Sequence, residues 1–385
     1  MKTIVYNLAN LRSPITGIGR YALELAINEL SQGRSVAGYI NGQLEEGPAL
    51  GVAAQRLKNS TANNGQRQRA WIGHIPLARR TYQTIQAKRF SRAVQNINFS
   101  EALTHNTTYS GSWGRPFDVT TVFDVSHLLV SSTHPAHRVV FLKRFFRGLE
   151  LHDKPIITIS QSVKDELCAH YSFDPQRIHV TPLAADPTFR PLSAEVCQPT
   201  LSRFGLSEKS FILSVGTLEP RKNLSAVLAA YARLSKEIRA QVPLVLVGPQ
   251  GWKSADLQKK ISQLASSGCL KQLGYVSNDD LPALYSSASA FCYPSLYEGF
   301  GLPVLEAMQC GCPCITSNNG ALQELANDAA VTIDPQNQDE LYDELHKVLH
   351  DQTHAEHLRH RGTARAAQFN WQATAAKSRV VYDSI

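Results

Sequence analysis

The sequence has no apolar run near the ~18 residues that a membrane-spanning helix needs, so no segment reads as a bilayer span. Its opening, M-K-T-I-V-Y-N-L-A-N, lacks the sustained apolar core of a secretory signal. It reads as a first buried strand, and a cytoplasmic setting is expected. The seven cysteines fall at no disulfide framework spacing. Cys310, Cys312 and Cys314 alternate across a helix end and the next strand, with no His or Cys pair to complete a metal set. Buried thiols in a reducing compartment are the plainer expectation. No D-x-D string offers a metal site, so no metal and no cofactor beyond a substrate are expected.

Acidic residues are missing altogether between Glu46 and Glu101, while Arg56, Lys58, Arg67, Arg69, Arg79, Arg80, Lys88, Arg89 and Arg92 fall there. Residues 1–190 carry 22 Lys and Arg against 13 Asp and Glu; the remainder carries 17 against 19, so the net charge of +7 resides in the first half. Trp71, Ile75, Leu77, Tyr82, Ile85 and Phe90 interleave with the basic residues. That mixture fits a segment lying on an anionic membrane surface, or a solvated basic loop and helix. A nucleic-acid partner would also be drawn to it, but would leave the strongest motif of the chain unexplained and is not expected.

What is present is an alternation of apolar strand-like runs with amphipathic stretches, the mark of βαβ units. Strands are expected near Ile4–Asn7, Ser35–Ile40, Val119–Phe123, Ile156–Ile159 and His179–Thr181, with helices near Gly19–Leu30 and Ser162–His170. A second series begins at Phe211–Val215, followed by a helix over about Leu224–Ile238 and the strand Leu244–Val247. It continues with a helix near Ala255–Leu264, the strand Leu270–Leu273, a helix near Asp279–Ser286 and a strand at 289–293. Strands at Cys314–Thr316 and Ala330–Ile333 precede C-terminal helices. Three prolines in P-L-A-A-D-P-T-F-R-P, Pro182 to Pro191, mark an interdomain hinge.

The most informative string is Y-P-S-L-Y-E-G-F-G-L-P-V-L-E, Tyr293 to Glu306. Pro294 closes a strand, Gly299 and Gly301 allow an unusual turn, and Pro303 suits a first helical turn. Glu298 is then placed at the carboxyl end of a strand and Glu306 inside the next helix, at the edge where open α/β sheets bind ligands. Two carboxylates beside exposed N–H groups suit a polyol such as a sugar or ribose. An ordinary tight turn and a helix-start glutamate form the bland alternative.

Three further strings bear on function. In S-P-I-T-G-I-G-R-Y, Gly17 and Gly19 bring N–H groups and a helix start towards an anion, though a plain strand–helix turn would look the same. In S-V-G-T-L-E-P-R-K-N, Arg221 and Lys222 follow a strand and a Pro turn, where a guanidinium and an ammonium can neutralise a diphosphate leaving group. In L-G-Y-V-S-N-D-D-L-P-A-L-Y, Ser277 or Asn278 is expected to cap a helix, and a flat base can hydrogen-bond the Tyr275–Val276 backbone.

Together these strings, with L-V-G-P-Q-G-W at Leu246–Trp252 and the late F-N-W at Phe369–Trp371, resemble the family-4 retaining glycosyltransferases of GT-B fold. The likeness is closest to bacterial mannosyltransferases of O-antigen and exopolysaccharide assembly, and it is poorest over residues 41–115. It implies an α/β protein of two Rossmann-like parallel-sheet domains facing across a cleft. Residues 1–187 would be the acceptor domain, 188–366 the donor domain, and 367–385 a C-terminal helix packing back on the first. It implies that Glu306 binds ribose hydroxyls and Glu298 the donor sugar. Gly299, Phe300, Gly301 and Leu302 would touch that sugar or the phosphates. Arg221, Lys222, Thr217, Gly17 and Gly19 would hold the diphosphate, and Asp124, ending T-T-V-F-D, would lie by the acceptor and the reacting carbon.

The chain departs from the family pattern at Thr217, where many relatives have Arg, and at Phe123, where many have His; His127 is the nearest alternative. The implied activity is transfer of mannose or a related hexose from a nucleotide diphosphate sugar, GDP-mannose favoured, to a lipid-linked saccharide at the inner membrane face. Polysaccharide assembly proteins are implied partners. A non-catalytic nucleotide-sugar-binding subunit of such an assembly is the alternative that the two departures leave open.

Overall fold

A computed structural model describes residues 2–9, 11, 15–40, 42–59, 98, 101–109, 117–252 and 254–385. The basic stretch between Glu46 and Glu101, with its interleaved aromatics, lies for the most part outside the described residues, as do residues 12–14 of the first Gly loop.

Thirteen strands are described: β1 (Thr3–Asn7), β2 (Val36–Ile40), β3 (Gln43–Glu46), β4 (Ala102–Asn106), β5 (Val119–Val122), β6 (Ile156–Thr158), β7 (Ile178–Val180), β8 (Ile212–Val215), β9 (Leu244–Val247), β10 (Leu270–Gly274), β11 (Ala290–Tyr293), β12 (Cys314–Ser317) and β13 (Val331–Ile333). They form two sheets, ordered β3-β2-β1-β4-β5-β6-β7 and β10-β9-β8-β11-β12-β13. All neighbours run parallel except the β2–β3 hairpin at one edge. Most strands are buried along their length because helices cover the sheets. This explains why they are written as short Val/Ile/Leu-rich runs rather than as an alternation.

In each sheet the chain order reverses at one point. β1 stands between β2 and β4, and β8 stands between β9 and β11. Loops that leave the carboxyl ends of strands flanking such a point diverge and open a crevice. The segment leading to Gly17 follows β1; the loops carrying Arg221 and Glu298 follow β8 and β11. Topology thus sets the Gly17 segment at the switch point of the first sheet and the Arg221 and Glu298 loops together at that of the second.

Most expected strands lie within a residue or two of their observed positions. The misses have physical causes. β4, A-L-T-H-N, looks too polar for an interior strand, yet Thr104, His105 and Asn106 are buried. Asp118 accepts from both N and Oγ1 of Thr104, and the His105 ring bridges Thr121 and Tyr382. Distant partners satisfy the polarity that makes the sequence look loop-like. The expected helix 224–238 is two helices, Leu224–Arg233 and Lys236–Gln241, because Leu234 turns extended and Ser235 Oγ caps Ile238 N. Helices Pro48–Asn59, Ala136–Glu150 and Ala194–Phe204 were not foreseen.

The C-terminal helix Trp371–Asp383 lies against the first helix, Gly17–Ser31. Glu29, fully buried, takes a bidentate guanidinium from Arg379, and Arg34 also pairs with it. Tyr382 shares hydrogen bonds with Tyr6 and His105 beneath the sheet. Among the described residues no helix is long and apolar enough to cross a membrane.

Candidate functional site

The site grows from two loops on the second sheet. After β8 the chain makes a single 3-10 turn, Pro220–Lys222, and Asn223 takes the left-handed conformation (φ 53°) that starts helix Leu224–Arg233. After β11, Gly301 at φ +105° turns the chain into helix Leu302–Gln309, with Pro303 in its first turn. A side chain at Gly301 would be strained by backbone and would meet Leu322 at 2.6 Å.

Glu298 lies where the two loops meet. Its Oε2 is 2.7 Å from Arg221 Nη1, and its Oε1 accepts from Lys222 Nζ at 2.6 Å, Ser295 Oγ at 2.8 Å and Tyr293 OH at 3.0 Å. Burial opposes its charge, but Lys222 and Arg221 outweigh burial and hold the carboxyl at about 2. Burial also pulls the Lys222 ammonium below the ordinary lysine value, against the pull of Glu298. Arg221 is fixed from the other side by Glu219, 2 % exposed, which accepts from Nε and Nη2 at 3.1 and 2.9 Å. The result is two cations and two carboxylates in one half-buried cluster. Their charges balance, so neither sign is left alone in a poorly solvated place.

Glu306 is in the opposite state. Its one hydrogen-bond partner among the described residues is Tyr285 OH, at 3.1 Å. Burial raises its carboxyl to about 7, and Tyr285 and Arg20 offset only part of that rise. Arg20, beside the first Gly loop, pairs with Asp186 of the Pro-rich segment.

Loops of the first sheet reach this cluster at close range. The Cβ that Gly299 lacks would fall 1.8 Å from Phe123 O and 3.1 Å from Asp124 Cβ. Gly299 does not have a positive φ; its need for glycine is close approach, not the turn conformation read from sequence. A Cβ on Gly17 would meet Leu302 at 2.9 Å, so the start of the first helix abuts the start of the Glu306 helix. Gly19 N is taken by Thr16 Oγ1 at 3.2 Å; its amide is committed within the protein, contrary to the sequence reading of it as an anion donor. Ser160 Oγ donates to Gly299 O at 2.9 Å, and Val125 N donates to Tyr297 OH at 3.0 Å.

The other expected residues take varied positions. Thr217 is half-buried beside Gly251. Tyr275 is 57 % exposed and Val276 is buried, just past the end of β10 on the same carboxyl edge. The Phe300 ring is buried edge-on to Phe369 at 5.7 Å, which ties the F-N-W string to the loop of Glu298. The helix after Ser277 and Asn278 runs Leu281–Ser287. Ser277 does cap the turn that leads into it: Ser277 Oγ accepts from Asp280 N at 3.2 Å and Ser277 O from Leu281 N at 3.0 Å. His127 is fully buried, stacked on Phe146 at 4.6 Å and bonded to Tyr171 OH at 2.8 Å. Burial lowers it to about 4, so it is a neutral core histidine and not a stand-in at position 123. Tyr293, Ser295 and Glu219 were not singled out, although all three lie inside or beside the quoted strings. Among the described residues no group of His, Cys, Asp and Glu could hold a metal ion.

Residues 202–365 match the family Glycosyl transferases group 1. The "O-antigen chain mannosyltransferase B" of Escherichia coli is 32% identical over 372 residues, covering 96% of each chain. The chain is a group 1 glycosyltransferase. The "MMP alpha-(1->4)-mannosyltransferase" of Mycolicibacterium hassiacum is 31% identical to this glycosyltransferase over 234 residues, 59% of the chain and 53% of that relative. In structure, Anabaena Alr3699/HepE in complex with UDP and glucose superposes with a TM-score of 0.74 at 17% identity, covering 100% of both chains. The architecture is that of the GT-B enzymes, two Rossmann-like parallel sheets.

Proposed function

We propose that this glycosyltransferase is a mannosyltransferase of O-antigen or related cell-surface polysaccharide assembly. On this reading it moves mannose, or a related hexose, from GDP-mannose to a lipid-linked saccharide with retention of the anomeric configuration. The observation that carries the site is the Glu298–Arg221–Lys222 cluster beside Glu306 on the carboxyl edge of the second sheet. The likeness over nearly the whole length to a mannosyltransferase supports the sugar.

In this reading Arg221 and Lys222 receive the diphosphate and stabilise it as it leaves. Glu298, held ionised by those cations, accepts hydrogen bonds from the sugar hydroxyls and orients the ring; it is not the nucleophile. N–H groups of Gly299, Phe300 and Gly301 at the turn and the tip of helix Leu302–Gln309 face the same oxygens. Glu306 accepts from the ribose hydroxyls, and the Tyr275–Val276 backbone receives the base. The departing phosphate oxygen takes the acceptor's proton as the new bond forms on the face the phosphate leaves, and Asp124 orients the acceptor. The two cations do the work that a divalent ion would otherwise do for the diphosphate, so no metal is required. Residues 1–187 serve the acceptor, 188–366 the donor, and 367–385 return to the first domain. The basic first half sets the enzyme on the anionic inner face of the membrane, where a lipid-linked acceptor resides.

Isothermal titration without metal against GDP-mannose, GDP, UDP-glucose and UDP tests the donor assignment. Binding is expected for the two GDP compounds and is expected to be lost in Glu306→Ala. A folded protein that binds neither GDP compound overturns it.

A further inference from the structure

We infer that His134 is a positioning residue that fixes Asp124 through Ser126, and that Trp252 of the second sheet locks it in place. This rests on the reading of Asp124 as the acceptor-side group. Asp124 Oδ1 receives Ser126 N at 3.0 Å and Ser126 Oγ at 2.6 Å. A carboxylate only accepts, and a serine hydroxyl has one proton. Ser126 Oγ therefore spends its proton on Asp124 and can only accept from His134 Nε2, 2.9 Å away. The geometry assigns the proton on His134 to Nε2 and orders the chain as His134 to Ser126 to Asp124. Ser126 and His134 are 1 % and 3 % exposed, so water does not compete for these bonds. Oδ1 is then committed, while Oδ2 has no protein partner among the described residues.

His134 is seated in turn by the other sheet. Trp252 Nε1 donates to Thr133 O at 2.7 Å, and the indole lies 6.0 Å from the His134 ring. Arg138 caps that indole at 5.6 Å. The loop that presents Trp252 is tied to the phosphate motif: Leu218 N donates to Pro249 O at 3.0 Å, and Gly251 N donates to Leu218 O at 3.2 Å. A Cβ on Gly251 would meet Leu218 O at 2.8 Å and Thr217 at 2.9 Å, so the loop lies flat on that motif. An unbroken set of contacts runs from Thr217–Leu218 to Trp252, Thr133–His134, Ser126 and Asp124. With the two sheets in contact, the loop that carries Trp252 completes the support of Asp124. This gives the G-P-Q-G-W string a role, and gives position 134, ten residues past Asp124, a task unrelated to the missing histidine at 123.

Two measurements test it. In ligand-free protein labelled at histidine nitrogens, NMR is expected to show a protected His134 Nε2–H that loses protection in Ser126→Ala and in Trp252→Phe. An unprotected or Nδ1-protonated ring in the wild type overturns the assignment whatever the enzyme transfers. In transfer from GDP-mannose to a dodecyl mannoside, His134→Ala is expected to lower kcat ~10- to 100-fold, the range a misplaced group costs. The donor KM is expected to stay within about twofold. His134→Gln, whose amide keeps a donor near Nε2, is expected to recover most of the loss. Unchanged kcat in His134→Ala, a Gln variant no better than Ala, or a donor KM rising in step with the loss each overturns it. Should the Ala variant not fold, Trp252→Phe is expected to lower kcat several-fold with the donor KM within about twofold, and an unchanged kcat there overturns it. A wild type that transfers nothing counts against the mannosyltransferase reading, and the NMR result still decides the positioning chain.

Discussion

Glu298 and Glu306 belong to one short motif, yet their surroundings drive them in opposite directions. Glu298 is held at about 2 because two cations outweigh burial; Glu306 rises to about 7 because burial has little to offset it. If Glu306 accepts from the ribose as proposed, nucleotide affinity should strengthen as pH rises through about 7, where its carboxyl ionises. Titration of GDP at pH 6 and pH 8 checks this, and Glu306→Gln is expected to flatten the difference. Stability runs the other way. The folded state holds the Glu306 proton more tightly than the unfolded chain, so this group's contribution is present below about 4.5 and lost as pH rises through about 7. Glu306→Gln should raise the melting temperature more at pH 8 than at pH 5.5, by a free energy on the order of 2 kcal/mol. For Glu298 the window is reversed: its contribution is present above about 4.5 and fades as pH falls towards 2. Arg221→Ala is expected to lower kcat by ~100-fold or more, as loss of one preorganised charge-stabilising donor does. A single-turnover assay would detect it.

At the scale of elements, loops of one sheet cap and contact elements of the other. Helix Gln161–His170 of the first sheet begins with two free N–H groups, and Glu324, on helix Gly320–Ala326 of the second, accepts from Gln161 N and Ser162 N at 3.0 Å each. Glu324→Ala should cost about 1–2 kcal/mol, the worth of a lost helix cap, measurable as a shift in urea midpoint. Gly299 lets the Glu298 loop touch Phe123 and Asp124. The Y-P-S-L-Y-E-G-F-G string and the strand runs around it were legible because they follow local rules: a buried strand, a proline stop, a positive-φ glycine, a proline-led helix. β4 was not legible, because its Thr, His and Asn are made interior only by Asp118, Thr121 and Tyr382.

For the whole molecule, the C-terminal helix closes the chain on its beginning. Glu29 is fully buried between Arg379, Arg34 and the first helix. Arg379→Met leaves that carboxylate with one partner and should destabilise the protein by roughly 2–3 kcal/mol, towards the lower end of the cost of breaking a buried pair. Chemical denaturation of the variant is the check; an unchanged midpoint would mean Arg34 alone suffices.

By itself the sequence determined the two α/β series and the strings in which Arg221, Lys222, Glu298 and Glu306 stand. Strand period, turn residues and motif spacing act over a few positions and leave their mark in order along the chain. Only the tertiary structure decided which groups meet: Glu298 between two cations from a loop 76 residues away, Glu306 against Tyr285, His127 in the core, and Trp252 against Thr133 and His134. Those outcomes depend on where the chain reverses in each sheet and how closely the two carboxyl edges approach. They are set by packing across hundreds of residues, and no local pattern encodes them.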